Sequence, residues 1–378
     1  MPLTARRLNR ATLGRQLLLQ RETLAVADAV RRVVALQAQE PASPYLALWN
    51  RLTDFDPADL DAAFVDRSVV KASLIRLTLH AVHAEDYPAF HDAMVSSLRA
   101  SRLHDRRFTS TGLTIADADA LVPHLLRFAA RPRSKAQIED ELEARLGHRQ
   151  PRAWWALRTF APLHHAPTGG PWSFGASSSF RAAPARPEGE SPGAAVERLV
   201  LRYLEGFGPA SVADFAQFTM LRRPVVTEAL RALADAGEVQ ELEGTDGARL
   251  VDVPAGLLPA EDSPAPSRLL PMWDSILLAY SDRSRVIPPD YRRLVIHQNG
   301  DVLPTLLVDG YVAGVWRPVE DGIEATAFHA LSEEAWRGLA TEAAALVAFL
   351  KTRDPRAYRR YAHWWSALPK AEVRLLPG

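Results

Sequence analysis

Between Pro192 and Gly208 apolar residues return every three to four positions and the run closes on a glycine, which predicts a helix. SVADFAQFTM follows from a serine cap and predicts a short second helix. RRPVVTEALRALADAGEV carries apolar residues at Val226, Leu230, Leu233 and Ala234 and predicts a third. VQELEGTDGARLVDV then alternates on either side of TDG, as a hairpin does. Three helices followed by a hairpin are the order of a winged helix-turn-helix, which places one such module at 191–256.

The same order repeats more loosely upstream. ADADALVPHLLRFAA is helical, SKAQIEDELEARLG runs from a serine cap to a glycine stop, and QPRAWWALRTFAPLHH leads into APTGGPWSFG as a turn between short strands. That gives a second module at 113–190. In residues 1–112 the periodicity predicts helices near 8–20, 24–38, 43–53 and 57–67, then two strand-like runs in VVKASLIRLTLHAVH. Beyond the Pro-rich stretch PAGLLPAEDSPAPSR the pattern changes. LVIHQNGDVLPTLLVDGYVAGVWRP predicts three strands joined by NGD and DG turns, GIEATAF a fourth, and SEEAWRGLATEAAALVAFLKTR a long capped helix. The predicted fold is α+β and mainly helical: three tandem winged helix-turn-helix modules, then a small α+β domain over 257–378.

Composition narrows the function. The 378 residues are 47% hydrophobic and 24% charged, a globular balance long enough for several modules. With no cysteine there is no disulfide framework, thiol nucleophile or cysteine zinc site. No apolar run approaches the ~18 residues of a membrane span, and MPLTARRLNR lacks the apolar core of a signal peptide, so a cytoplasmic protein is expected. A formal net charge of +0 argues against a simple nucleic-acid coat but permits a site with basic walls. Arginine supplies nearly all the positive charge. Arg99, Arg102, Arg106 and Arg107 form one candidate backbone-binding segment; Arg359 and Arg360, in RDPRAYRRYAHWWSALPK, form another. In the second, Tyr358, Tyr361 and Trp365 share one helical face, so a packed stripe with a solvated basic side is the competing reading.

Other candidates fall away. His80 and His83 sit three apart on a strand and face opposite sides, which makes structural histidines of them; the adjacent His164 and His165 meet the same objection. GASSSF lacks the strand, elbow and helix of a nucleophilic serine, and no Gly-rich phosphate loop is present. No metal and no cofactor are expected.

VVALQAQEPASPY is less ordinary. Val26, Val30, Val33 and Gln37 follow a helical spacing, which puts Gln37 on the apolar stripe, and Pro41 places Gln39 in a last, loosened turn. A buried primary amide needs partners for one oxygen and two N–H groups. The pair is either a structural cap or a site.

LNRATLGRQLLL, ALQAQEP, IRLTLHAVHAEDY, LLPMWDSILLAYSDRSRVI and LPTLLVDGYVAGVWR, in that order, resemble the winged-helix DNA glycosylase superfamily of AlkZ and YcaQ, and more closely its AlkZ branch. The resemblance spans essentially the whole chain. It implies that Gln37, Ala38 and Gln39 are the Gln–apolar–Gln catalytic motif of that branch; YcaQ-type relatives have Asp where Gln39 stands, so a carboxylate base is missing there. It further implies a C-shaped molecule with a concave surface for double-stranded DNA and no cofactor. The activity implied is excision of bulky N7-alkylguanine and unhooking of interstrand crosslinks, as in resistance to azinomycin-like genotoxins. A hairpin near the minor groove maps to His297, Gln298, Asn299 and Gly300, with a tip that is shorter and less basic than in YcaQ-type proteins. A monomer is expected.

Amides suit that chemistry. A guanine alkylated at N7 is already cationic, so it leaves without a general acid, and the protein has only to place a water below C1′ and favour positive charge on the sugar. A helix C-terminus near Gln39 would help by ~0.3–1 kcal/mol. Glu40 is adjacent as a possible base. The expected product is an abasic site without strand cleavage, on the ground that no lysine lies near the motif. The competing classes are a winged-helix transcriptional regulator, which would bind by sequence, and a protein-interaction scaffold, which would not bind DNA.

Overall fold

A computed structural model describes residues 2–185, 191–245, 247–369 and 371–377. The chain opens with α1 (Ala5–Arg15), α2 (Val26–Arg32), β1 (Leu36–Gln37), α3 (Ala42–Trp49) and α4 (Pro57–Asp66). It continues through β2 (Val69–Ser73), β3 (Leu79–His83), α5 (Tyr87–Leu103) and the single turn α6 (Arg106–Thr109). Next come α7 (Ile115–Phe128), β4 (Arg133–Ser134), α8 (Lys135–Leu146), α9 (Pro151–Phe160), β5 (Leu163–Ala166) and β6 (Ser179–Ala182). The segment with the clearest periodicity yields α10 (Pro192–Phe207), α11 (Val212–Thr219), α12 (Arg223–Asp235), β7 (Gln240–Glu243) and β8 (Arg249–Asp252). The hairpin between β7 and β8 is the one expected at TDG, of which Asp246 lies outside the described residues. The remainder comprises β9 (Arg268–Leu270), α13 (Arg292–Val295), β10 (Thr305–Val308), β11 (Tyr311–Val319), β12 (Gly322–Ala327), α14 (Glu333–Arg353) and β13 (Glu372–Pro377). No helix among the described residues is long and apolar enough to cross a membrane.

Capping explains why several of these helices begin where they do. Thr114 with Asp117, Ser134 with Gln137, and Ser211 with Asp214 each form a reciprocal capping box at the head of α7, α8 and α11. Gly147 closes α8 in the left-handed conformation at φ 75°. One face of α14 is buried through Trp336, Leu339, Ala343, Leu346 and Leu350.

Three expectations are corrected. The helix predicted over 24–38 stops at Arg32; Val34 turns left-handed at φ 75°, and β1 follows as a strand. The physical reason is burial on all sides. Val33 to Ala38 are each at most 5% exposed, whereas a surface helix would show one face to water. Leu294 to Ile296 do not form a strand: α13 ends there and only a single bridge joins Ile296 to Val302 around NGD. Lastly, the strands of the first two segments are not separate hairpins. They form one sheet in the order β1-β3-β2-β5-β6-β4, joined where Lys71 pairs with His165. A second, antiparallel sheet runs β13-β12-β11-β10-β9, with edges that periodicity had not marked.

Helix α1 ties distant segments together. Arg15 forms two 2.7 Å bonds to the carboxylate of Asp252, and both side chains are buried. Asn9 Nδ2 donates to the carbonyls of Arg285 and Gly310, 2.8 Å each, and Arg10 pairs with Asp309. A second buried pair, Arg51 with Asp274 at 2.8 Å, fastens the end of α3 to the segment after β9.

Candidate active site

β1 is an edge strand whose Gln37 stands opposite His80 on β3, while Leu36 stands opposite Ala81. The pleat therefore puts Gln37 and His80 on one face and Leu36, Ala81, Lys71 and His165 on the other. Gln37 is 5% exposed, and its Oε1 accepts a 2.6 Å bond from Arg76 Nη2. Because an arginine can only donate, this bond fixes which end of the amide is oxygen. Burial, and then the charge of Arg76, hold His80 down at about 3, so it is neutral. Its Nδ1 lies 3.2 Å from the carbonyl of Thr78 and must donate, which leaves a buried Nε2 lone pair without a partner among the described residues.

Gln39 lies beyond the strand, just before α3, and is exposed. The nearest helix terminus is therefore an N-terminus, and the expectation that a negative helix end assists a sugar cation is reversed. Gln39 lines a cavity of about 450 Å³ with Glu40, Lys71, Leu79, His165 and Arg360. No hydrogen bond engages its amide among the described residues. The two glutamines are therefore held differently: Gln37 is locked, and Gln39 is available.

The cavity is not apolar. Glu40 accepts from Arg360 Nη2 at 2.5 Å and from Tyr361 Oη at 3.3 Å; burial nonetheless raises its carboxyl above the ordinary value. Lys71 is 4% exposed, with Nζ 4.2 Å from the centre of the Phe174 ring. Burial lowers it to about 8 against the opposing pull of Glu40. Its presence corrects the expectation that no lysine stands near the motif: in the chain it is distant, but the β2–β3 hairpin brings it to the cavity that Gln39 lines. Burial, then Lys71, press His165 down to about 3. With Lys71 and Arg360 outnumbering Glu40, the walls of the cavity do not by themselves favour a cation.

The remaining candidate residues divide. His297 stacks on Trp364, ring centroids 3.8 Å apart, and Asn299 Nδ2 donates to Asp301 at 3.0 Å, while Gln298 and Asn299 stay exposed at the tip. Arg99 pairs with Asp119 at 2.6 Å, Arg102 donates to Thr159 at 3.0 Å, and Arg107 pairs with Asp105 at 2.8 Å. Arg106 and Arg359 are exposed and lack such partners among the described residues. Tyr358, Tyr361 and Trp365 are buried as expected, although residues 359–367 wind as a 3₁₀ segment. Sequence reasoning missed Arg76, Lys71 and the placement of Glu40. The first two sit on or beside a strand that only pairing brings to Gln37 and Gln39.

Comparison with known proteins adds independent information. The family profile described as DNA glycosylase AlkZ-like matches residues 30–349. An interstrand DNA cross-link repair glycosylase from Streptomyces sahachiroi is 24% identical over 338 residues, covering 83% of this chain and 88% of that protein. The solved structure of the Streptomyces sahachiroi DNA glycosylase AlkZ superposes with a TM-score of 0.80 at 21% identity, over 92% of this chain and 96% of that one.

Proposed function

From the premise that this chain belongs to the AlkZ-like DNA glycosylase family, enzymes that hydrolyse N-glycosyl bonds in DNA, we propose that it excises N7-alkylguanine from duplex DNA and unhooks interstrand crosslinks. In this reading Gln37 and Gln39 position the water. The substrates are cationic adducts of the azinomycin type, and the protein acts as a monomer in the cytoplasm. The first three segments serve as winged-helix modules that line a concave DNA surface, with the loop of His297, Gln298 and Asn299 and the arginines at 99, 102, 106, 107, 359 and 360 as its DNA-facing candidates. A crosslinked base cannot rotate fully out of the duplex into a deep pocket, and the exposed position of Gln39 suits attack in an open cleft.

The observation that carries this reading is the contrast between the two amides: Gln37 is oriented by Arg76, and Gln39 faces the cavity unengaged. A water held by Gln39 in the cavity attacks C1′, while Gln37, locked by Arg76 on the opposite face of the sheet, fixes the segment that presents Gln39. The C1′–N9 electron pair leaves with the base, which departs neutral because it began as a cation. The water's proton passes to solvent, so neither amide has to ionise. Stabilisation of the sugar cation falls to the flanking phosphates of the DNA, since the cavity walls carry more positive than negative charge.

Lys71 favours a second reading, in which its amine captures C1′ and cleaves the strand. The monofunctional reading is preferred because the amine lies on the Phe174 ring and stays protonated below about pH 8. One experiment separates them. Duplex DNA bearing N7-methylguanine is treated with the parent protein, Gln37→Ala and Gln39→Ala, then split between alkaline cleavage and borohydride. Each variant is expected to lose about 10²-fold in single-turnover rate, and the parent is expected to give no trapped adduct. Undiminished excision by both variants rejects the role of the amides; an adduct that disappears in Lys71→Met establishes the lyase.

A further inference from the structure

The turn between β2 and β3 adopts a conformation that its sequence does not favour. Thr78 N–H donates to the carbonyl of Ile75 at 3.1 Å, and the two residues between, Arg76 (φ 52°, ψ 24°) and Leu77 (φ 60°), both have positive φ. A hairpin turn with two left-handed residues in succession is normally filled by Asn-Gly. Arginine and leucine each set a Cβ against a carbonyl there, at ~1–2 kcal/mol per residue. Strain of this kind persists where the surroundings impose it, and such places are frequently functional. Leu77 has an ordinary reason to be there, since it packs against the core. For Arg76 the surroundings oppose the charge: burial, and then the charge of Arg283, lower its guanidinium to about 10.

The guanidinium is nevertheless held in place. Nη1 donates to the carbonyl of Phe218 on α11 at 3.2 Å, the Phe218 ring lies 5.2 Å from Cζ, and Nη2 reaches Gln37 Oε1 at 2.6 Å. Arg283, whose charge acts on Arg76, has a buried Nε with no hydrogen-bond partner among the described residues. Burial lowers Arg283 as well, followed by the charge of Arg292. None of these three arginines has a carboxylate partner among the described residues, whereas the buried Arg10, Arg15, Arg51 and Arg268 each have one.

We propose that Arg76 is a positioning residue that orients the amide of Gln37, and that Arg76 and Arg283 together seat a phosphate of the DNA backbone beside the reacting nucleotide. The first half rests on the glycosylase reading; the second needs only that the protein binds DNA. Guanidiniums whose charges act on one another and that have no paired acid are a site for an anion, and the anion of a DNA substrate is its phosphate. Joining the two roles in one side chain means that a correctly placed backbone reinforces the orientation of Gln37 and, through it, of the segment that presents Gln39.

Asparagine tolerates the left-handed region, so Arg76→Asn relieves strain and removes the guanidinium. The expected result is a melting temperature equal to or above that of the parent, together with a fall of about 10²-fold in single-turnover excision of N7-methylguanine. Arg283→Gln is expected to weaken binding to undamaged duplex and to lower the slope of log affinity against log salt by about one. If Arg76→Asn does not fold, Arg76→Lys, which keeps the charge but not the fork, is expected to bind DNA with the parental slope and to excise more slowly. A folded Arg76 variant that excises at the parental rate overturns the inference, and so does an unchanged salt slope in Arg283→Gln. A parent protein that excises nothing defeats the glycosylase reading instead; the salt slopes of Arg283→Gln and Arg76→Asn then decide the phosphate seat alone.

Discussion

Lys71 shows how one residue can be informative for both stability and chemistry. Its amine is charged in folded and unfolded chains alike below about pH 8, where burial opposes the charge; above that value the folded form loses its proton first, because the unfolded amine titrates near 10.5. The unfolded chain therefore binds more protons between about pH 8 and 10.5, and stability must rise with pH in that window. Lys71→Met removes both the burden and the rise. Urea unfolding is expected to show a gain of about 1–3 kcal/mol at pH 7 that shrinks towards pH 10. A variant whose advantage is the same at both pH values would mean that the buried charge is not what opposes folding at this position. Lys71 also illustrates what a linear reading of the site cannot reach, for nothing in VVKAS marks a lysine that will line the cavity used by Gln39. Arg76 was hidden for a related reason: arginine and leucine are poor predictors of a tight hairpin turn, so the turn, and the guanidinium it delivers, became visible only with the strand pairing. Gln37 and Gln39 were legible through resemblance to a motif, and not through periodicity, which had placed them on the wrong element.

Elements with a cap at one end and a steady period were readable from the chain, whereas those defined by their neighbours were not. Helices α8, α10, α11, α12 and α14 begin at serine caps or an N-terminal proline and run close to their expected lengths. Strands β1, β9 and β13 are edges that exist because a partner strand supplies their hydrogen bonds, and the joining of two hairpins through Lys71 and His165 has no local signature. Caps also make a test at this scale. Ser211 Oγ accepts from Asp214 N at 3.2 Å, Asp214 accepts from Ser211 N at 2.9 Å, and the same carboxylate takes the Ser281 N–H at 2.9 Å. Ser211→Ala is expected to cost about 1 kcal/mol, an ordinary cap. Asp214→Ala should cost about 2 kcal/mol, because it also strands a donor in the segment that carries Arg283. Equal losses in thermal unfolding would show that the bond to Ser281 contributes nothing.

At the scale of the whole molecule, α1 joins the hairpin of β7 and β8 to the C-terminal sheet, so the relative placement of segments remote in sequence depends on a few buried polar contacts. The contact of Arg15 with Asp252 is the most enclosed of them, and Gly256 shows how closely the backbone is fitted around it: a Cβ at that position would fall against Arg15 Nη2 and 2.8 Å from Asp252 Oδ2. Removing one partner leaves the other charged and buried, which typically costs about 3–5 kcal/mol, whereas replacing both by apolar residues of similar size is often nearly neutral. Asp252→Ala is therefore expected to lower unfolding free energy by about 3–5 kcal/mol, and Arg15→Met with Asp252→Leu to recover most of the loss. Gly256→Ala should behave like a milder form of the single variant, since the added methyl forces the guanidinium off its carboxylate. Because the Arg15 side chain also donates to the carbonyls of Leu204 and Leu257, a double variant that stays as weak as Asp252→Ala would mean that losing those bonds costs about as much as stranding the charge. The helix would then act as a clasp through its hydrogen bonds to backbone as much as through the ion pair.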